Sequence, residues 1–319
     1  MYNEGMRIIL GFAVSCLGLV LVFAILGLIE SPRQDTQGFL ASLHIPEKQT
    51  PQVLTLLFVG DIMLDRGVEW EIKKNGGDWR WPFLKIADTL QQADFVFGNL
   101  ESQISDKGEN VGSIYSFRAD PVSIEGLTYA GFDVLSVANN HSLDYTKEAF
   151  ENSSKRLREA TIIPVANGLM IKEIGGAKIG FLAYSNFPGI AKVDWDNLEE
   201  TTQDIQYAKS QVDILVVSLH AGEEYDKEPN EFQKTFAQSA IDAGANLIIG
   251  HHPHVVQPLE QYKQSWIAYS LGNFVFDQKF SEETMAGAIL KVLVEDKKIK
   301  EVSLLPTKLS SSYQVDLVE

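Results

Sequence analysis

Apolar, β-branched segments alternate with amphipathic ones along this chain, and the alternation limits the folds that it can adopt. The apolar segments have the lengths of buried strands, and they are TLLFVGDIML, DFVFGNLE, DVLSVANNH, KIGFLAY, DILVVSLH, NLIIGHH, WIAYSLGNF and AILKVLVED. Between several of them lie stretches whose apolar residues recur every three or four positions, namely WPFLKIADTLQQA, VSIEGLTYAG, KEAFENSSKRLREA and NEFQKTFAQSAIDAG. This pattern predicts an α/β domain with helices packed outside buried sheets.

An uncharged apolar run precedes the predicted domain. It covers residues 8–29, and as a helix it would span roughly 33 Å, enough to cross the hydrocarbon core of a bilayer. We expect an uncleaved transmembrane anchor because no A-x-A cleavage site follows; a cleaved signal peptide is the alternative. Residues 1–7 then form a short tail, residues 30–52 a linker, and residues 53–319 the globular domain.

The charge around this anchor says little about its orientation, because Arg7 and Arg33 flank the run almost symmetrically. A short tail inside and a large domain outside is the usual arrangement. We therefore expect a single-pass protein of the cell membrane with an extracytoplasmic domain.

Composition excludes several classes of protein. The net charge of −16 argues against a nucleic-acid partner, which would need a basic face. Cys16 is the single cysteine and lies in the apolar run, so an intramolecular disulfide and a cysteine-based zinc site are both excluded. The sequence also lacks the G-x-S-x-G and G-x-x-x-x-G-K-[ST] motifs. An anionic substrate would be repelled unless positive charge is bound locally.

Polar side chains recur where the predicted strands end. They are Asp61, Asn99, Glu101, Asn139, Asn140, His141, His220, the histidines of the GHHPH turn, and Asn273. Each has an ordinary explanation when taken alone: an aspartate can cap a helix, and a lone strand histidine can be a hydrogen-bonded core residue. Ligands bind at the carboxyl ends of strands in open α/β sheets. The set as a whole therefore indicates a metal site at this edge.

The order of these groups resembles a known arrangement. GD, GNLE, NNH, H and GHHPH are similar to the D-x-H, GD, GNH, H and GHxH blocks of calcineurin-like metallophosphoesterases. More closely, GDIMLDR, GNLES, ANNHSLDY, HAGEEY, GHHPHVVQP and YSLGNFVFD resemble the bacterial capsule-synthesis CapA family, which is associated with poly-γ-glutamate capsules. The resemblance covers nearly all of residues 55–280. It implies a four-layer α-β-β-α sandwich of metallophosphatase type, preceded by one N-terminal transmembrane helix.

The same resemblance implies a centre of two divalent ions. One ion would be held by Asp61, Glu101 and His254. Glu101 would bridge to the second ion, whose other ligands would be Asn140, His220 and His252. These oxygen and nitrogen ligands suit Mn²⁺, Fe or Zn²⁺, and the ions would supply the positive charge that an acidic protein lacks.

Two departures from the general phosphoesterase pattern affect the first ion position. Met63 stands where D-x-H has histidine, and a thioether is a poor ligand for these cations. Glu101 replaces the bridging aspartate and lies two positions after Asn99. Both changes are typical of CapA-like sequences.

Further residues are expected to support chemistry at this centre. His141 would act as a general acid toward the leaving group or orient the substrate, and Asp144 would fix its tautomer or cap the following helix. Arg66 would bind a substrate carboxylate or phosphate or form a surface salt bridge. Asn273 would support a ligand, and His251 would support a ligand or lie exposed.

Three functions remain open on the sequence. The first is a membrane-anchored protein of poly-γ-glutamate capsule synthesis or export with a hydrolase-like dinuclear centre. Its partners would be the membrane, other capsule-synthase membrane subunits and an anionic polymer. The second is a metal-dependent phosphoesterase or γ-glutamyl amide hydrolase unrelated to capsule. The third is a non-catalytic module that binds an anionic polymer or a protein partner.

Overall fold

The structure is a computed structural model that describes residues 53–166, 168–194 and 197–318. The predicted tail (1–7), anchor (8–29) and linker (30–52) lie outside the described residues. Among the residues that are described, no helix combines the length and the hydrophobicity needed to cross a bilayer.

Two β-sheets form the centre of the described domain. Its strands in chain order are β1 (Leu54–Ile62), β2 (Phe95–Leu100), β3 (Gln103–Ile104), β4 (Arg118–Ala119), β5 (Val134–Ser136), β6 (Ile163–Val165), β7 (Met170–Ile174), β8 (Ala177–Ser185), β9 (Ile214–His220), β10 (Leu247–His251), β11 (Leu259–Tyr262), β12 (Ser265–Ala268), β13 (Asn273–Val275), β14 (Ala286–Glu295), β15 (Lys298–Leu309) and β16 (Val315–Leu317). The α-helices are α1 (Arg66–Lys74), α2 (Ala87–Gln91), α3 (Ile124–Ala130), α4 (Thr146–Glu159), α5 (Glu199–Gln211) and α6 (Glu231–Asp242). Short 3₁₀ turns cover Trp81–Phe83 and Pro121–Ser123.

The two sheets have similar parallel centres. The first sheet has the order β16-β15-β14-β1-β2-β5-β6, with β13 paired to the end of β1. Its strands β1, β2, β5 and β6 run parallel. The second sheet has the order β11-β12-β10-β9-β8-β7, and β8, β9, β10 and β12 run parallel. Each parallel group therefore gathers its carboxyl ends at one edge.

Side-chain alternation divides the second sheet between two cores. Along β9, Ile214 and Val216 belong to the core shared with the first sheet, whereas Leu215 and Val217 pack with α5 and α6. The shared core includes Phe181 of β8, whose ring lies 4.9 Å from that of Phe95 in β2. A strand that is buried on both faces has a nearly continuous apolar sequence, and β8 and β9 have such sequences.

The predicted α/β sandwich is confirmed, with local differences. WIAYSLGNF forms two strands, β12 and β13, and WPFLKIADTLQQA forms a 3₁₀ turn followed by the short α2. Helix α5 was not expected from the sequence. Few of its side chains are buried, among them Ile205 and Ala208, so its apolar periodicity is weak.

Candidate metal centre

Two glycines allow the strands that carry the site to pass close to neighbouring backbone. A Cβ at Gly60 would lie 1.9 Å from the carbonyl oxygen of Gly272, and a Cβ at Gly250 would lie 1.9 Å from that of Tyr269. No side chain fits at either position. The same steric requirement therefore explains Gly60, which precedes Asp61, and Gly250, which precedes the histidine turn.

Buried amides organise the end of the first sheet. Asn99 lies opposite Asp61 in the β1–β2 register, and its Nδ2 donates to Asp61 Oδ1 at 2.8 Å and to Glu101 Oε1 at 3.3 Å. Asn139 Nδ2 in turn donates to Asn99 Oδ1 at 3.2 Å and to the Leu100 carbonyl at 2.9 Å. These amides hold the two carboxylates in place and were not among the predicted site residues, although the strand-end pattern contained them.

The histidine turn of the second sheet meets Asp61 from the other side. His251 Nδ1 lies 3.2 Å from Asp61 Oδ1, and His254 Nδ1 lies 3.3 Å from Asp61 Oδ2. The backbone N–H of His252 donates to Asp61 Oδ2 at 3.2 Å. Burial by itself raises the pKa of Asp61, but the neighbouring imidazoles of His251 and His254 more than offset it and hold this pKa well below its usual range. His251 is buried, so the exposed alternative is wrong.

This turn has an unusual backbone. His252 has φ 98° and His254 has φ 58°, a region that favours glycine. Such strain persists only where surrounding contacts over-determine the conformation, and it is concentrated at functional sites. Here it aims two imidazoles from one turn into the same space.

Asp61, Glu101 and His254 form one group with the dimensions of a cation site. Each offers a ligand atom, and these atoms all lie within 4.8 Å of one another. All three side chains are buried, and Glu101 Oε2 has no hydrogen-bond partner. Burial, followed by the charge of Asp61, raises the pKa of Glu101. A buried carboxylate oxygen without a donor is costly unless a cation binds it, so these residues fit a metal.

Asn140, His220 and His252 lie beside that group. His220 Nε2 is 2.8 Å from Asn140 Oδ1, and His220 Nδ1 is 3.9 Å from Glu101 Oε1. The His220 and His252 ring centroids are 4.9 Å apart, and His252 Nδ1 has no partner. Burial and then the charge of His252 lower the pKa of His220, while burial and then the charge of His254 lower the pKa of His252 to about 3. Both imidazoles are therefore neutral at neutral pH, as metal ligands must be.

His141 and Asp144 form a hydrogen-bonded pair at the edge of the centre. His141 Nδ1 lies 2.7 Å from Asp144 Oδ2, which also accepts from the backbone N–H of Phe117 at 2.8 Å. Asp144 therefore orients the imidazole and does not cap α4, whose N-cap is Tyr145. The other ring nitrogen, Nε2, lies 3.1 Å from Asn140 Nδ2 and 3.9 Å from Glu101 Oε2 and so faces the candidate centre.

The remaining predicted residues lie close by. Asn273 Oδ1 is 3.0 Å from His254 Nδ1. The other ring nitrogen of His254, Nε2, is therefore the one that could bind a metal ion. Arg66 pairs with Asp277 through Nε and Nη2, and its guanidinium lies 4.7 Å from the centre of the Phe117 ring. Arg66 therefore forms the predicted salt bridge and also lies beside an open space next to the centre.

That space is a pocket of about 230 Å³ outside the centre, lined among others by Arg66, His141, Glu224, Tyr225, His254 and Gln278. A larger cavity, of about 470 Å³, lies between β8 and α5. Its lining contains Tyr184 and Asp204 but no histidine. Chemistry therefore marks the smaller pocket as the candidate site, although the other has more volume.

Of two further residues near the centre, Met63 agrees with the sequence analysis and Glu224 was missed by it. Met63 is fully buried, and its sulfur accepts from the backbone N–H of Asp65 at 3.1 Å. Glu224 was not predicted, yet it offers an oxygen within 4.8 Å of ligand atoms of His252 and His254. The available signal was the pair of glutamates shortly after His220 in HAGEEY.

Fold and site together define a class: a two-sheet α/β protein with carboxylates and imidazoles gathered where its parallel strands end. Residues 55–278 match the family described as "Bacterial capsule synthesis protein PGA_cap". The chain is 31% identical over 277 residues to the "Capsule biosynthesis protein CapA" of Bacillus anthracis, covering 79% of this chain and 67% of that protein. It is 32% identical over 283 residues to the "PGA biosynthesis protein CapA" of Bacillus subtilis (strain 168), covering 81% and 70%.

The chain therefore belongs to this family of bacterial capsule synthesis proteins, and the predicted CapA resemblance is confirmed. Among solved structures, a hypothetical protein from Thermus thermophilus matches with a TM-score of 0.51 and 16% identity, over 80% of this chain and 99% of that one. At that identity the likeness establishes the fold and says nothing about activity.

Proposed function

We propose that the chain acts in poly-γ-glutamate capsule synthesis or export and that its domain is a metal-dependent hydrolase of metallophosphatase type. Residues 8–29 would anchor it, with the domain outside the cell membrane, near other membrane subunits of the capsule synthase. Family membership supports the capsule role. The observation that carries the hydrolase proposal is the convergence of Asp61, Glu101 and His254 within 4.8 Å.

Two divalent ions would be held by the residues of the candidate centre. Asp61, Glu101 and His254 would bind one, and Glu101, Asn140, His220 and His252 the other. The unpartnered Glu101 Oε2 and His252 Nδ1 support this assignment. Mn²⁺, Fe²⁺ and Zn²⁺ all accept such mixed oxygen and nitrogen ligands.

When bound, such a pair of ions supplies a water nucleophile and neutralises charge on an oxyanion. The protein supplies proton transfer through His141, whose Nδ1 is fixed by Asp144. Its Nε2 faces the centre, where it can carry a proton to or from the leaving group. Arg66 would orient an anionic substrate in the adjoining pocket. The bond cleaved would be a phosphoester or a γ-glutamyl amide.

The metal proposal is tested by elemental analysis of the purified full-length chain after reconstitution with Mn²⁺, Fe²⁺ and Zn²⁺. We expect about two ions per chain, with His252→Ala losing at least one. His44→Ala, in the predicted linker, is the matched control and should keep both. A wild-type chain that binds no ion would refute the hydrolase and leave the non-catalytic binding module.

The substrate is tested with the same reconstituted protein. Release of phosphate from phosphoesters and shortening of poly-γ-glutamate are measured side by side, with metal-free protein as the blank. Cleavage of the polymer would support the capsule hydrolase. Cleavage of phosphoesters alone would favour a phosphoesterase unrelated to capsule, and polymer binding without cleavage of either would favour the binding module.

A further inference from the structure

Glu224 is a carboxylate at the open side of the centre, and no role was predicted for it from the sequence. It lies in the loop between β9, which ends at His220, and α6. Its side chain is exposed, and it lines the pocket that also contains His141 and His254. It therefore occupies the space between solvent and the buried ligands.

The centre lacks one ligand at the Met63 position. The sulfur of Met63 accepts a backbone hydrogen bond from Asp65 and is buried within the core. Met63 therefore supplies no ligand in place of the histidine of D-x-H, and the fully buried imidazole beside Asp61 is that of His251, whose Nδ1 lies 3.2 Å from Asp61 Oδ1. That coordination position can be filled by a group from another part of the chain or by water.

The loop that carries Glu224 is fixed against the histidine turn. The backbone N–H of Tyr225 donates to the carbonyl of Pro253 at 2.8 Å, and Tyr225 has φ 70°. This conformation is an outlier for a bulky residue and persists only under constraint. The phenol of Tyr225 in turn accepts a hydrogen bond from Gln278 Nε2 at 3.3 Å, which holds the loop from its other side.

Two observations support a cation beside the Glu224 carboxylate. Its oxygen lies within 4.8 Å of ligand atoms of His252 and His254. His252 is more than nine-tenths buried, and its Nδ1 has no hydrogen-bond partner. A carboxylate and two imidazoles around one small volume are a common ligand set for Zn²⁺ or Mn²⁺.

We propose that Glu224 is a metal ligand of this centre, entering from the open side beside His252 and His254. The proposal rests on the proposed two-ion function. It adds a third carboxylate to Asp61 and Glu101. With neutral imidazoles, two divalent ions then keep a single excess positive charge, which is enough to attract an anionic substrate without holding it as tightly as a more highly charged centre would.

The test compares Glu224→Gln with Glu223→Gln in the full-length chain. Both residues are exposed and adjacent, so the two variants change the net charge equally. Mn²⁺ is titrated into metal-free protein, and electron paramagnetic resonance counts the free ion and reports coupling between bound ions. We expect Glu224→Gln to bind one Mn²⁺ at least about tenfold more weakly than wild type, with Glu223→Gln unchanged.

The outcomes separate this inference from the function on which it rests. A wild-type chain that binds no Mn²⁺ refutes the two-ion function itself. A wild-type chain and a Glu224→Gln variant that bind two ions with equal affinity refute only the role of Glu224. Equal weakening in both variants also refutes it, because the effect would then be general electrostatics. Circular dichroism of each variant verifies that the fold is retained.

Discussion

The two sheets contribute different chemistry to the centre. The first sheet places carboxylate and amide oxygens at the ends of β1, β2 and β5, namely those of Asp61, Glu101 and Asn140. The second supplies imidazoles from the ends of β9 and β10, namely His220, His252 and His254. Each sheet has a glycine that lets a strand pass close to its neighbour, Gly60 in one and Gly250 in the other.

Neither sheet alone, in consequence, carries all the groups of the candidate centre. The site exists because the shared core aligns the polar ends of both sheets at one edge. Within that core, the Phe181 ring of the second sheet stacks on Phe95 and Phe97 of the first, with centroids 4.9 Å and 6.0 Å apart. Phe97 in turn lies 6.4 Å from the ring of His251. Packing between the sheets and ligand geometry are therefore linked.

His141 is the exception to this division between oxygen groups and imidazoles, because it is an imidazole that follows a strand of the first sheet. Its substitution is the prediction with the largest effect. Because Asp144 orients it and its Nε2 faces the centre, His141→Ala should lower turnover by about 10²–10⁴-fold. Metal content should stay at the wild-type level, in contrast to His252→Ala. Steady-state rates and elemental analysis on the same samples check both statements. Turnover at the wild-type rate would remove the proposed proton-transfer role.

The link between the sheets is tested by a matched pair of core substitutions. Phe181 lies between the sheets and Phe236 lies between the second sheet and its helices, and both are almost completely buried. Either residue changed to alanine should lower the free energy of unfolding by about 3–5 kcal/mol, measured by urea denaturation. Only Phe181→Ala should also weaken Mn²⁺ binding, because it loosens the alignment of the two ligand sets. Equal metal affinity in the two variants would contradict this link.

The smallest predicted effect concerns support from the first sheet to an imidazole of the second. Asn273 Oδ1 accepts from His254 Nδ1 at 3.0 Å, which fixes the ring and its tautomer. Asn273→Ala should weaken metal binding by about 10–100-fold, measured by competition with a chelator. Gln278→Ala is the control, since it removes a partner of Asn273 that does not contact the imidazole. An unchanged affinity for Asn273→Ala would show that Asp61 alone orients His254.

Much of the fold could be predicted from the sequence, because buried strands leave a strong local signal. The runs that became β1, β8, β9 and β14 are apolar over most of their length. Helix α5 could not be predicted, because it places few apolar side chains against the sheet. The break between β12 and β13 was also missed. The residues that link the two strands are largely apolar, so the hydrophobic pattern does not show where one strand ends and the next begins.

The site was predicted to a different degree at each residue. The strand-end pattern contained Asp61, Glu101 and the histidines, and the structure brings them together; their roles as ligands stay predictions. Glu224 is the clearest omission. Its position depends on a hydrogen bond from Tyr225 to the Pro253 carbonyl, and such a contact between distant loops leaves no signature in the order of residues.

The sequence alone shows which chemical groups are available: this acidic chain has side-chain oxygen and nitrogen groups directly after its apolar strands. This is possible because strand burial and turn chemistry are local properties that neighbouring residues encode directly. Which of these groups meet depends instead on the folded arrangement. Register between strands and packing between sheets bring the Asp61 carboxylate and the backbone N–H of His252 into a hydrogen bond across 191 positions of the chain, and no local pattern specifies such a contact.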